Sequence, residues 1–363
     1  MNYSKNDALM TKGMAIICMI TLHLFCRLGK DILGTPLIWL NNKIPLIFLF
    51  GFFSEICVPI YSICTGYAIE LRIESNNDSY KNNLRRILKI MYNYWIVLIL
   101  FSVLGLLVDP KGSVPGSLSN FIKSIFLLHS YNGAWWYLNT YVLLLLIPAK
   151  VLLFPIHKVS LKKGFAICLS VQIGTYFVSR FGYSINSLIS FRTSEFLLNE
   201  FNNLIGVIPY VWIGACICRY KIVSKLYTYS LEKIPDRNKR KIVIQAIFLG
   251  LFISMNIIHK AALLGFFSVT VFLLFNIYEK NHIEEAILMF LGRHSTNIWL
   301  THMFFYLYVF KDLVIKARYP ILIFAFMLVL CIITSYVIMA IQRATSSIGN
   351  ILINKICDED IVF

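Results

Sequence analysis

Lys12 and His23 bracket an almost wholly apolar run, and no other part of the chain combines reactive chemistry with so little water. They stand eleven positions apart. On a helix that separation is three turns plus roughly 20°, so both lie on one face, about 16 Å apart along the axis. An ionisable side chain inside a membrane span is costly to insert, which makes it a candidate functional group by default. Histidine is also the side chain best matched to general-base work near neutral pH. The alternative is a histidine satisfied by a neighbouring helix. A second isolated charge, Glu55, sits in the next apolar run. Counted from opposite membrane edges, Glu55 and His23 reach similar depths in a core ~30 Å thick. A carboxylate there would orient the imidazole and raise its basicity; otherwise Glu55 is protonated or faces an aqueous vestibule.

Three further groups carry polar chemistry. Arg85, Arg86 and Lys89 open the third apolar run, with Arg86 and Lys89 sharing a face at i,i+3. They suit the phosphates of an anionic nucleotide ligand, or equally lipid headgroups. Trp135, Trp136 and Tyr137 form an aromatic cluster at the mouth of the fourth run, fit for an interfacial belt or for stacking a sugar. The ninth run opens with Ser295, Thr296, Asn297, Thr301 and His302. Ser295 and His302 share a face two turns apart, and a helix this polar is expected to line a wet cavity. Its N-terminus also suits an anion. No nucleophile elbow, glycine-rich phosphate loop or HExxH zinc motif occurs, and no metal-ligand spacing is present.

These residues must be carried by membrane helices. The 363 residues are 58% hydrophobic and 14% charged, where soluble domains are about a quarter charged. Mean hydropathy is +0.71. Apolar runs at 13–29, 44–70, 87–108, 133–155, 163–181, 203–219, 241–258, 261–278, 294–311 and 319–341 predict an all-α polytopic membrane protein of about ten transmembrane helices. The stretch 118–130 reads as interfacial or re-entrant. A single transmembrane domain over 1–345 and a short tail, 346–363, complete the chain, with the first run retained rather than cleaved. The net charge of +16 does not indicate nucleic acid, because the basic residues lie in short loops. Placing both termini in the cytoplasm puts about twice as many Lys and Arg inside as outside. The outer loop 182–202 is polar and near-neutral, and 219–241 is strongly basic. Nine cysteines, mostly within the runs, read as small apolar core residues rather than a disulfide framework.

Taken in order, the features resemble the bacterial membrane acyltransferase family 3. They are Lys12 and His23 in the first span, Gly66-Tyr67 ending the second, and Arg86 and Lys89 leading to Tyr94-Trp95. Trp136-Tyr137-Leu138 at a span mouth, and Leu291-Gly292, Ser295, Leu300 and His302 late in the chain, complete the set. The resemblance spans essentially the whole chain and implies acyl transfer, commonly acetyl. The donor would be cytoplasmic acetyl-coenzyme A or another acyl-CoA, with no tightly bound cofactor. The acceptor would be a hydroxyl of a surface or exported glycan, or of a lipid-linked glycan, such as capsule, O-antigen or exopolysaccharide. It implies catalytic roles for His23 and its basic partner Lys12; Glu55 joins them on the depth argument above, not on the resemblance. Arg85, Arg86, Lys89 and Ser295 would bind the donor, and Trp136, Tyr137 and His302 the acceptor. Lys89 departs from the family arginine, keeping charge but losing the bidentate fork, and Trp299 stands where the family often has tyrosine. The chemistry is open between His23 as base and His23 carrying the acyl group. A carrier or flippase for a lipid-linked or anionic solute also places charges at midplane, as does a non-catalytic assembly or sensing protein.

Overall fold

The computed structural model describes residues 3–28, 34–40, 43–110, 112–186, 192–258, 263–308, 310–347, 349–350 and 353, with the side chains of 178–195 outside that description. Lys30, Lys111, Lys260, Lys355, Cys357, part of the 182–202 loop and most of the 346–363 tail therefore lie outside the described residues. The protein is an all-α polytopic membrane protein. Its helices are α1 (Lys5–Phe25), α2 (Leu46–Phe53), α3 (Cys57–Glu74), α4 (Tyr80–Val108), α5 (Leu118–Ile125), α6 (Trp136–Leu146), α7 (Ala149–Leu152) and α8 (Phe154–His157). There follow α9 (Leu161–Asn186), α10 (Arg192–Arg219), α11 (Ile222–Lys233), α12 (Arg237–Ile258), α13 (Leu264–Ile277), α14 (His282–Met303), α15 (Lys311–Ile315) and α16 (Pro320–Ala344). A 3₁₀ turn, Ser54–Ile56, joins α2 to α3, and a π turn, Phe304–Tyr308, follows α14. The described strands, Trp39–Leu40 and Ile44–Pro45, form a two-residue antiparallel ladder.

Local chemistry sets the helix ends. Ser4 Oγ accepts the Asp7 amide at 3.2 Å while the Asp7 carboxylate accepts the Ser4 amide at 2.8 Å, a reciprocal capping box that starts α1. Ser79 and Ser117 cap α4 and α5 more simply, each hydroxyl accepting one backbone amide, that of Asn82 and that of Asn120. Among the described residues six helical segments are long and apolar enough to cross a membrane: Lys5–Phe25, Leu46–Glu74, Tyr80–Val108, Phe196–Arg219, Arg237–Ile258 and Pro320–Ala344. α6 and α13 are apolar but shorter. The run 133–155 is not one helix, as expected, but α6 followed by two single turns. Pro148 supplies no amide to the ladder and drives its predecessor out of the helical region.

The chain divides into two compact units, each drawn from three stretches of sequence. The first holds Met1–Met19, Phe52–Asp78 and Ile147–Arg293. Here glycines let backbones touch. A Cβ at Gly66 would strike the Val211 carbonyl and one at Gly214 the Ile63 carbonyl, which seats α3 on α10. A Cβ at Gly13 would strike the Leu288 carbonyl and one at Gly292 the Leu9 carbonyl, which seats α1 on α14. Arg219 binds both oxygens of Glu70 at 2.7 and 2.8 Å and donates to the Ile156 and His157 carbonyls. Between α13 and α14, Glu279 pairs with Arg237 at 2.7 Å and with Arg240. Burial would raise its carboxyl, but the hydrogen bond and charge of Arg240, helped by Tyr227 and Arg237, hold it below the ordinary value. Next to it the buried Lys280 ammonium donates to the Phe275 and Tyr278 carbonyls. Burial pushes Lys280 down to about 8, against the opposing charges of Asp7, Glu285 and Glu284.

The second unit holds Ile20–Gly51, Ser79–Leu146 and His294–Phe363. Its core surrounds α4. Phe101 stacks on Phe304 at 4.3 Å, while the Tyr94 hydroxyl and Trp95 indole hold the last turn of α5 through the Ser124 and Ile125 carbonyls. Buried amides cross from α16 to α4 to α14. Gln342 donates to Asn93 at 2.9 Å, Asn93 to Asn297 at 2.8 Å and Asn297 to Ser335 at 2.9 Å, with His294 Nδ1 at 2.8 Å from the same hydroxyl. This network overturns the expectation of a wet face at the start of the ninth run. Asn297 and Thr301 are buried, and their polar groups are spent on Asn93, Ser335 and the α14 backbone.

Candidate functional site

His23 lies in the last turn of α1 and is half-buried. Helix α1 continues unbroken from Lys5, so the shared helix face expected for Lys12 and His23 rests on regular geometry. Edge-on to the His23 ring stands His302, with ring centroids 4.9 Å apart and planes at 79°. His302 is fully buried near the end of α14. Its Nδ1 lies 2.8 Å from the Trp299 carbonyl. A carbonyl only accepts, so Nδ1 carries the hydrogen and Nε2 a lone pair. That Nε2 is buried without a hydrogen-bond partner among the described residues. The Tyr306 hydroxyl is 3.4 Å from His23 Nδ1, and its ring centroid is 6.3 Å from that of His302.

Tyr306 owes its position to the π turn. The Leu300 carbonyl accepts two side-chain donors, Asn132 Nδ2 and Trp135 Nε1, each at 3.0 Å. The Trp299 carbonyl takes His302 Nδ1, and Trp299 Nε1 returns a bond to the Ala134 carbonyl at 3.0 Å. An α-helix would use those carbonyls for amides four residues on. Side-chain donors inserted into the ladder widen the following turn, and such π turns cluster at functional positions. The loop that supplies the donors is itself rigid: Asn132 Oδ1 accepts the Ala134 amide at 2.8 Å, and Trp135 packs edge-on to Tyr94 at 4.8 Å.

The other expected residues distribute as follows. Tyr137 is buried, with Trp136 at 5.7 Å on one side and Trp299 at 6.0 Å on the other, so the aromatic cluster and the late span do meet. Arg86 donates to Asn83 Oδ1 at 3.0 Å on the first turns of α4; Arg85 is half-buried and Lys89 exposed. Ser295 is buried, one turn before Trp299 on α14. Lys12, exposed, and Glu55, half-buried in the 3₁₀ turn, belong to the first unit.

Sequence reasoning missed Tyr306 and Asn132, and it placed Trp135 in an aromatic cluster without its bond to the Leu300 carbonyl. A signal was present for the histidine pair. Gly13 precedes His23-Leu24-Phe25 by the same spacing with which Gly292 precedes His302-Met303-Phe304. Those are the two glycines that seat α1 against α14 in the first unit. No such signal marks Asn132, whose role is set by a carbonyl 168 residues away.

Chemically, the site offers two imidazoles in ring contact and a phenol, groups fit for general acid–base work on a hydroxyl. A family model described as an acyltransferase domain matches residues 10–340. No curated protein and no solved structure matches the chain.

Proposed function

The chain belongs to the acyltransferase family matched over residues 10–340, and from that premise we propose an integral-membrane O-acetyltransferase that modifies a glycan hydroxyl with the acetyl group of cytoplasmic acetyl-coenzyme A. The observation that carries this reading is the contact of half-buried His23 with His302 and Tyr306. A base in such a setting acts on a hydroxyl with little competition from water. His23 takes the hydroxyl proton as the oxygen attacks the thioester carbonyl. Arg27 stabilises the charge that develops on the carbonyl oxygen. Arg86, oriented by Asn83, with Arg85 and Lys89, receives the phosphates of the donor, and Ser295 supports the donor side. Lys12 supplies a further cation on the donor side of the helix that carries His23, and Glu55 supports the same machinery. Trp136 and Tyr137 offer faces for the sugar ring, with His302 behind them. Both termini lie in the cytoplasm and the protein resides in the cell membrane, consistent with the loop charge bias.

The test is transfer of labelled acetyl from acetyl-coenzyme A in membranes carrying wild type or His23→Ala, with glycan ester acetate as the readout. We expect label in glycan that falls by at least about a hundredfold in the variant at equal inserted protein. Wild-type activity retained by His23→Ala would remove His23 from the mechanism.

A further inference from the structure

Three facts about His302 need one explanation. Its Nδ1–H is fixed on the Trp299 carbonyl, its Nε2 lone pair is buried without a partner among the described residues, and the His23 ring lies nearer to it than the Tyr306 ring. An unmet buried acceptor costs about 1–3 kcal/mol, so its retention calls for a donor that arrives during the working cycle. An acceptor hydroxyl is poorly suited, because His302 is fully enclosed whereas His23 is half-buried. His23 itself becomes that donor: while one nitrogen takes the substrate proton the other keeps its own N–H, and a charged donor bonds roughly twice as strongly as a neutral one.

Resting on the acetyltransferase reading above, we propose that His302 is a positioning residue for His23: its Nε2 lone pair accepts the N–H on the His23 nitrogen turned away from the substrate, a bond that closes as the other nitrogen takes the substrate proton and the ring becomes charged. The Trp299 carbonyl holds the His302 tautomer, as the third member of a triad holds a catalytic base. In the step, the hydroxyl O–H breaks and its proton passes to His23. The oxygen forms the new C–O bond at the thioester carbonyl, and the C–S bond breaks with its electron pair leaving on sulfur. The imidazolium then returns its proton to the thiolate. His302 keeps its own proton on Trp299 throughout, so its contribution is to hold and stabilise charged His23 and not to relay.

His302→Asn keeps a donor at the Nδ1 position and deletes the Nε2 acceptor; His302→Gln keeps an acceptor near the Nε2 position. Both are compared with wild type for kcat and for KM of acetyl-coenzyme A, at equal folded protein by detergent size-exclusion chromatography. A hydrogen bond to a charged group predicts a kcat loss of roughly ten- to a hundredfold for His302→Asn with KM unchanged, and partial recovery in His302→Gln. Wild-type kcat in His302→Asn, or equal losses in both variants, overturns the positioning role while leaving the acetyltransferase reading intact. A wild type without transfer activity overturns both.

Discussion

At the scale of single residues, legibility followed cost. His23 and His302 stood out because a histidine in an apolar run is expensive, and both prove to be in one cluster. Tyr306 did not stand out, because an aromatic residue in a span is ordinary and only the π turn turns it toward His23. Trp135 was read as part of an interfacial belt, whereas its indole N–H is committed to the Leu300 carbonyl. That difference is testable. Asn132→Ala combined with Trp135→Phe frees the Leu300 carbonyl for an α-type amide and keeps an aromatic ring against Tyr94 and Phe304. We expect each lost hydrogen bond to cost about 1 kcal/mol of stability. Transfer should fall about tenfold as Tyr306 leaves His23; unchanged activity in correctly folded protein would remove the clamp from the mechanism.

At the scale of elements, six of the ten apolar runs coincide with helices long and apolar enough to cross a membrane among the described residues, since the bilayer length and the backbone's need for internal hydrogen bonds leave few alternatives. They did not show what covers a polar face. Periodicity reports that Asn297 and Thr301 share a polar stripe, not that Asn93 and Ser335 are waiting against Asn297. Nor do runs report how closely two backbones pass. Gly292 meets the Leu9 carbonyl, whereas Gly250 on α12 has nothing within 4 Å of where a Cβ would stand. Gly292→Ala should therefore destabilise the protein by about 1–3 kcal/mol through overpacking. Gly250→Ala should leave stability unchanged or raise it by up to about 1 kcal/mol. Thermal unfolding in detergent reads both, and equal behaviour would refute the close seating of α1 on α14.

At the scale of the whole chain, counting loop charges proposes an orientation, but buried charges between helices are invisible to counting. Lys280, one of the cations counted on the inner side, is enclosed, with its ammonium over the Phe275 ring at 4.0 Å. Its folded value of about 8 lies below the unfolded 10.5. Between those values the unfolded chain holds a proton that the folded one has released, so stability rises as pH increases through this window, by a few kcal/mol at most. Lys280→Met should flatten that rise in denaturation curves between pH 8 and 10; an unaltered slope would assign it to another group. The two interleaved units have a consequence for biogenesis. The first unit closes only with residues near Arg293, and the second takes in α16. Helix α1 is synthesised first, yet the backbone that seats Gly13 belongs to α14. The growing chain must hold α1 on early partners such as α3, whose Tyr61 hydroxyl donates to the Lys12 carbonyl at 3.3 Å, until α14 has been inserted. Chains terminated before α14 are thus natural clients for membrane quality control.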